Sequence, residues 1–111
     1  MENLNILESE VLLWCNKLKN LLQDNMSPLF EKNVDFTIQK GKRYWKVVQS
    51  EIKGNETIHE SVHAFIDVGT GNIYKPATWK APAKHARYNI FQHNFLDCVS
   101  DPYGGYLYLK R

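Results

Sequence analysis

Between residues 3 and 24 apolar side chains recur every three or four positions: Leu4, Leu7, Val11, Trp14, Leu18 and Leu21. That spacing follows the 3.6-residue turn, so it predicts an amphipathic helix whose stripe packs on another element. Ile6, Leu13, Cys15 and Leu22 widen the stripe, while Glu8, Glu10, Lys17 and Lys19 fill the polar side. The same period, close to 3.5, is also that of a coiled-coil seam, which lets the helix pair with a second copy of the chain. Asp24-Asn25 and Ser27-Pro28 supply its end.

The period then changes from helical to alternating. Val34, Phe36 and Ile38 alternate with Asp35, Thr37 and Gln39, and Arg43 to Ile52 is rich in strand-favouring Tyr44, Trp45, Val47 and Val48. From Thr57 to Val68 the alternation sets Ile58, Val62, Ala64 and Ile66 on one face, and His59, His63, Phe65 and Asp67 on the other. Turn signals separate these runs at Lys40-Gly41-Lys42, Gly54-Asn55 and Gly69-Thr70-Gly71-Asn72. Ile73-Tyr74 opens a short fourth strand, which Pro76 stops or confines to an edge. Three hairpin turns in succession predict an antiparallel meander under the helix. Beyond it, Lys75 to Ala83 is too rich in proline for a regular interior. Thr78 caps a short turn there, Pro82 opens a short helix from Ala83 to Phe91, Asp101 to Gly105 turns, and Tyr106 to Leu109 forms a last strand. The expected fold is therefore α+β in a single domain, 1–111: the helix over 1–25, strands over 33–75, and a basic loop, short helix and C-terminal segment over 76–111. A chain of 111 residues holds one core.

Charge alters this picture locally. The net charge is only +2, too small for a general nucleic-acid binder. Residues 1–67 carry eight Lys/Arg against ten Asp/Glu, whereas residues 68–96 carry Lys75, Lys80, Lys84 and Arg87 with no acid. His85 and His93 add to that segment when protonated. Tyr74, Lys75, Trp79, Lys80, Lys84, His85 and Arg87 are the candidate ligand-binding set. Prolines stiffen the loop that presents them, an exposed ring stacks on a base, and a guanidinium grips phosphate through two parallel bonds. On the expected short helix, Lys84 and Arg87 share a face at the start, where free backbone N–H groups favour anions. The bland alternative is that these are ordinary surface cations around a connecting loop.

His59-Glu60-Ser61-Val62-His63 matches the zinc-hydrolase pattern H-E-x-x-H letter for letter. The chemistry needs a helix, where positions four apart share a face. On a strand the two imidazoles sit roughly 13 Å apart. The β-rich flanks favour the strand, and a third ligand would have to come from His85, His93 or Asp97. No GxSxG, GxGxxG or GxxxxGK[ST] motif occurs, Cys98 has no local partner motif, and Asp67 reads as a turn cap, so the expectation is a non-enzymatic protein without a cofactor. Cys15 and Cys98 fit no CxxC or Cys/His spacing. With no leader pattern and no apolar run near the roughly 20 residues of a membrane span, a reducing cytoplasm and no membrane partner are expected.

The run Val62 to Asp67, then Thr70-Gly71-Asn72-Ile73-Tyr74-Lys75-Pro76-Ala77-Thr78-Trp79-Lys80-Ala81-Pro82-Ala83-Lys84-His85-Ala86-Arg87-Tyr88-Asn89-Ile90, with Asp101-Pro102-Tyr103-Gly104-Gly105 behind it, resembles a family of small bacteriophage proteins without an assigned role. The resemblance covers the C-terminal half; the first 30 residues match nothing nameable. It implies a phage or prophage source and a bacterial host cytoplasm. By analogy with other small phage proteins, sequestration of a nucleotide immune signal of the host is one job that fits a basic, aromatic surface. The alternatives are a nucleic-acid binder and an inhibitor that docks on a host protein.

Overall fold

The computed structural model describes residues 2–25, 33–101 and 104–108, with side chains over 5–22, 34–101 and 104–108. The stop expected at Ser27-Pro28, the Pro102-Tyr103 part of the late turn and the Leu109 end of the expected last strand lie outside the described residues.

A helix, α1 (Glu2–Asn25), precedes strands β1 (Asn33–Gln39), β2 (Tyr44–Lys53), β3 (Glu56–Asp67), β4 (Asn72–Tyr74) and β5 (Tyr88–Asn89), a one-turn helix α2 (Phe95–Cys98) and a 3-10 turn (Gly105–Leu107). The strands pair antiparallel in chain order, giving the α+β meander that the alternation predicts. Gly54 turns the β2–β3 hairpin at φ +64° and Gly71 the β3–β4 turn at φ +79°, backbone that residues with a side chain rarely adopt. The Asp67 carboxylate accepts the N–H groups of Gly69 (2.8 Å) and Thr70 (3.2 Å), the turn-capping role read for it.

α1 lies across one face of the sheet. Leu7, Val11, Trp14, Cys15, Leu18 and Leu22 are buried there against Phe36, Trp45, Val47, Ala64 and Ile66, closed at one end by Ile90, Phe95, Val99 and Leu107. Each such side chain removed from water contributes roughly 1.5–3 kcal/mol, so this face holds the chain together. The predicted stripe is right at its centre and too broad at its margins, because Ile6 and Leu13 are exposed.

Three local expectations are corrected. β3 does not alternate cleanly: Val47 pairs with Ala64 and Val48 with Val62, so His63 is an extra residue in a bulge. The bulge turns His63 to the helix side with Ala64 and Ile66, against Trp14 and Phe36. No helix spans Ala83–Phe91. The Ala83 N–H donates to the Lys75 carbonyl (2.8 Å) and the Arg87 N–H to that of Ile73 (2.7 Å), so the segment returns beside β4 and becomes β5. The short helix falls later, at Phe95–Cys98. Tyr106 and Leu107 lie in the 3-10 turn and not in a strand.

Candidate functional site

The Pro-rich loop is a closed structure. Pro76 and Pro82 face each other across its neck, the Ala77 and Thr78 N–H groups donate to the Ala81 carbonyl (3.0 and 3.1 Å), and Ala83 returns to Lys75. Thr78 caps the tip as read from the sequence: its Oγ1 accepts the N–H groups of Lys80 (3.2 Å) and Ala81 (3.1 Å). Two prolines with no N–H to give are tolerated at such an irregular edge, and the fixed tip pushes Trp79 outward, with 41% of its surface exposed.

The loop leans over the sheet face that α1 does not cover. Between it and Ser61-Val62 of β3 is an open groove of about 310 Å³, lined by Pro76, Ala77, Thr78 and Trp79. A smaller hollow of about 90 Å³ continues from it past Lys75 toward Leu107 and Tyr108. Both ends are an aromatic ring under a cation. Lys46 Nζ lies 4.7 Å from the Trp79 ring centre and 5.7 Å from that of Phe65; Lys75 Nζ lies 4.4 Å from that of Tyr108. Tyr74 belongs to the same sheet face but packs edge-on against Tyr44, which packs likewise on Phe65.

The candidate set thus divides. Trp79 lines the groove, Lys75 lines the smaller hollow beside it, and Tyr74 supports the same sheet face. Lys80, Lys84 and His85 are exposed on the loop and line neither opening. Arg87 is committed to the backbone: its Nε donates to the Leu107 carbonyl (2.8 Å) and its Nη1 to the His85 carbonyl. Its fork braces the C-terminal turn against β5. With the expected helix absent, Lys84 does not mark a helix start and shares no helical face with Arg87. Among the described residues, none of the four cations has a carboxylate at ion-pair distance; the ion pairs Lys19–Asp35 (2.8 Å) and Lys40–Glu8 instead join α1 to the β1 edge. Lys46 was missed in the sequence, although its alternation with Trp45 and Val47 puts it on the face away from the helix.

The H-E-x-x-H pattern lies wholly within β3. His59 is exposed opposite Glu51, whereas His63 is buried, so the two imidazoles do not share a site. Among the described residues no three His, Cys, Asp or Glu side chains are grouped to hold a metal. His63 has a structural partner instead. The Trp14 Nε1–H donates to the Tyr106 hydroxyl (2.9 Å), and that hydroxyl lies 2.6 Å from His63 Nε2. Indole nitrogen only donates, so the hydroxyl accepts from Trp14, and its second contact, to the His63 ring, ties the helix to the bulge. Burial pushes the His63 pKa down to about 4, partly offset by Asp101. Burial raises that of Tyr106, and it lifts the Cys15 thiol to about 11, which makes Cys15 a packing residue rather than a nucleophile.

The chain belongs to DUF7717, a family of unknown function, whose profile matches residues 2–109. The match includes the N-terminal helix. No curated protein and no solved structure matches the chain. Among the described residues no helix is long and apolar enough to cross a membrane.

Proposed function

We propose that the protein is a non-enzymatic binder of a phosphate-bearing ligand with a flat ring, a nucleotide or cyclic nucleotide, seated in the groove beside Trp79. The observation that carries this reading is the half-open Trp79 ring, held on one side by Lys46, at the edge of a 310 Å³ groove whose neighbouring cations Lys75, Lys80 and Lys84 have no carboxylate partner among the described residues. The groove volume lies at the small end of ligand pockets, about 300–1,000 Å³, which suits one nucleotide unit. The ring stacks on the remaining Trp79 surface, and Lys46 and Lys75 face the phosphate. As a phage protein in a host cytoplasm, such a binder would withdraw a nucleotide signal from its receptor.

Isothermal titration against mono-, cyclic and dinucleotides, with inorganic phosphate as control, tests this. Binding with at least one nucleotide is expected, weakened about 5-fold or more in Trp79→Ala, since base stacking contributes roughly 1–3 kcal/mol. Silence across the panel removes the reading. A second reading, contact with a nucleic-acid strand, is favoured by Lys80, Lys84 and His85 standing on the exposed loop outside the groove. It predicts affinity that falls steeply with salt for any oligonucleotide and little preference among free nucleotides. Capture of one host protein that survives both controls would point to the third alternative, an inhibitory protein contact.

A further inference from the structure

We propose that α1 pairs with α1 of a second copy of this chain, antiparallel, through the face turned away from the sheet. Ile6, Leu12 and Leu13 lie on that face with 53%, 51% and 50% of their surface exposed. Helical spacing places Asn5, Ser9, Asn16 and Asn20 between and beside them, all uncharged. An outer helix face of a single domain ordinarily carries charge; here every charge from residues 5 to 22 sits on a border of the face. Glu10 and Lys17 lie along one border, Glu8 and Lys19 along the other.

The order of those charges selects the partner and its direction. On both borders the acid is toward the N-terminus and the base toward the C-terminus. A two-fold antiparallel pair brings each border against the same border of the other copy, with its direction reversed. Glu10 then meets Lys17 and Glu8 meets Lys19, and both pairs centre on one point, between residues 13 and 14. A parallel pair would set Glu against Glu and Lys against Lys, which costs affinity. The Glu10–Lys17 border contributes more. Glu10 has no ion-pair partner among the described residues, and Lys17 gives one ammonium hydrogen to the Leu96 carbonyl (2.7 Å) and keeps two. Glu8 and Lys19 are already paired with Lys40 and Asp35. Leu12 and Leu13 fall beside the two-fold axis, where water is most completely excluded. The pairing buries the side of α1 away from the sheet and leaves the Trp79 groove, on the opposite sheet face, open. The interface is one helix face wide and belongs to the small, reversible class.

Sedimentation velocity over a rising protein concentration should show monomer giving way to dimer. Leu13→Glu and, separately, Ile6→Glu should hold the chain monomeric without moving the thermal midpoint measured at concentrations where the parent is itself monomeric, because both side chains are half in water already. In a Cys98→Ser background, Leu13→Cys should cross-link across the axis on mild oxidation. Ile6→Cys should not, because the two copies of that residue would stand roughly 22 Å apart along the helices. A monomer at every concentration, or a dimer that survives both glutamate variants, overturns the proposal. Ile6→Cys cross-linking as readily as Leu13→Cys overturns the antiparallel direction.

Discussion

The two faces of this sheet spend their aromatic residues differently. On the face under α1, Trp14, Phe36, Trp45 and Phe95 are almost wholly buried, and the polar groups among them are matched within the protein, Trp14 to Tyr106 and Tyr106 to His63. On the other face Phe65 is buried beneath Lys46, but Tyr44 and Tyr74 are half-buried and Trp79 is exposed, with the Arg43 guanidinium over Tyr44 and the Lys46 ammonium over Trp79, so water reaches these three rings. The first arrangement gains stability by excluding water. The second leaves ring surface and positive charge available to a partner. The same residue types therefore mean opposite things on the two sides, and what distinguishes them is whether an apolar element lies on top.

That contrast is sharpest in the tryptophans. Trp14→Ala should destabilise the fold by about 3–5 kcal/mol through the cavity it leaves, and more because the Tyr106 hydroxyl loses its donor. Trp79→Ala should change stability by about 0.5 kcal/mol or less, as exposed positions do. Urea denaturation of the two variants measures both; equal losses would erase the distinction between the faces.

The buried histidine of β3 repeats it in pH. Unfolded, the His63 imidazole takes its proton near 6.5; folded, burial holds it off until about 4. In that window the unfolded state binds more protons, so stability that is fully present above pH 6.5 falls as pH drops toward 4, by about 3 kcal/mol. His63→Phe should flatten this acid branch. An identical acid branch in His63→Phe and the parent would break the assignment.

Arg87 and Lys84 give a smaller contrast within the basic loop. Arg87→Ala should cost about 1–2 kcal/mol by releasing the Leu107 carbonyl and the C-terminal turn. Lys84→Ala should cost less than about 0.5 kcal/mol. The binding readout should invert that order for a long polyanion, because Lys84 is the free cation of the two. Melting curves together with salt-dependent binding curves separate these outcomes.

The sequence made the architecture legible wherever one period held long enough. Six apolar positions of α1 from Leu4 to Leu21 and three turns at Gly41, Gly54 and Gly71 are enough to place a helix and a meander. It failed where a single backbone event reversed the pattern. The bulge at His63 changes no composition, yet it carries one imidazole from the open face into the core and sends Val62 to the groove. Pro82 reads equally well as a helix start or as one side of a loop neck, and only the hydrogen bonds from Ala83 and Arg87 back to β4 decide between them. Arg87 illustrates a limit in the site: charge type suggested a phosphate grip, but the carbonyls that occupy its fork come from residues 85 and 107, the second of them twenty positions away. Lys46 was overlooked for the converse reason, since it belongs to a strand and reaches the loop only through the sheet pairing with Phe65.

The most direct test uses the three indole N–H signals of a ¹⁵N-labelled sample titrated with the nucleotide panel. Ligand in the open-face groove should shift the Trp79 signal and leave those of Trp14 and Trp45 in place, and Trp79→Phe should abolish the response. If all three signals stay fixed with every nucleotide, or the movement is confined to Trp14 and Trp45, the groove beside Trp79 is not where this protein binds.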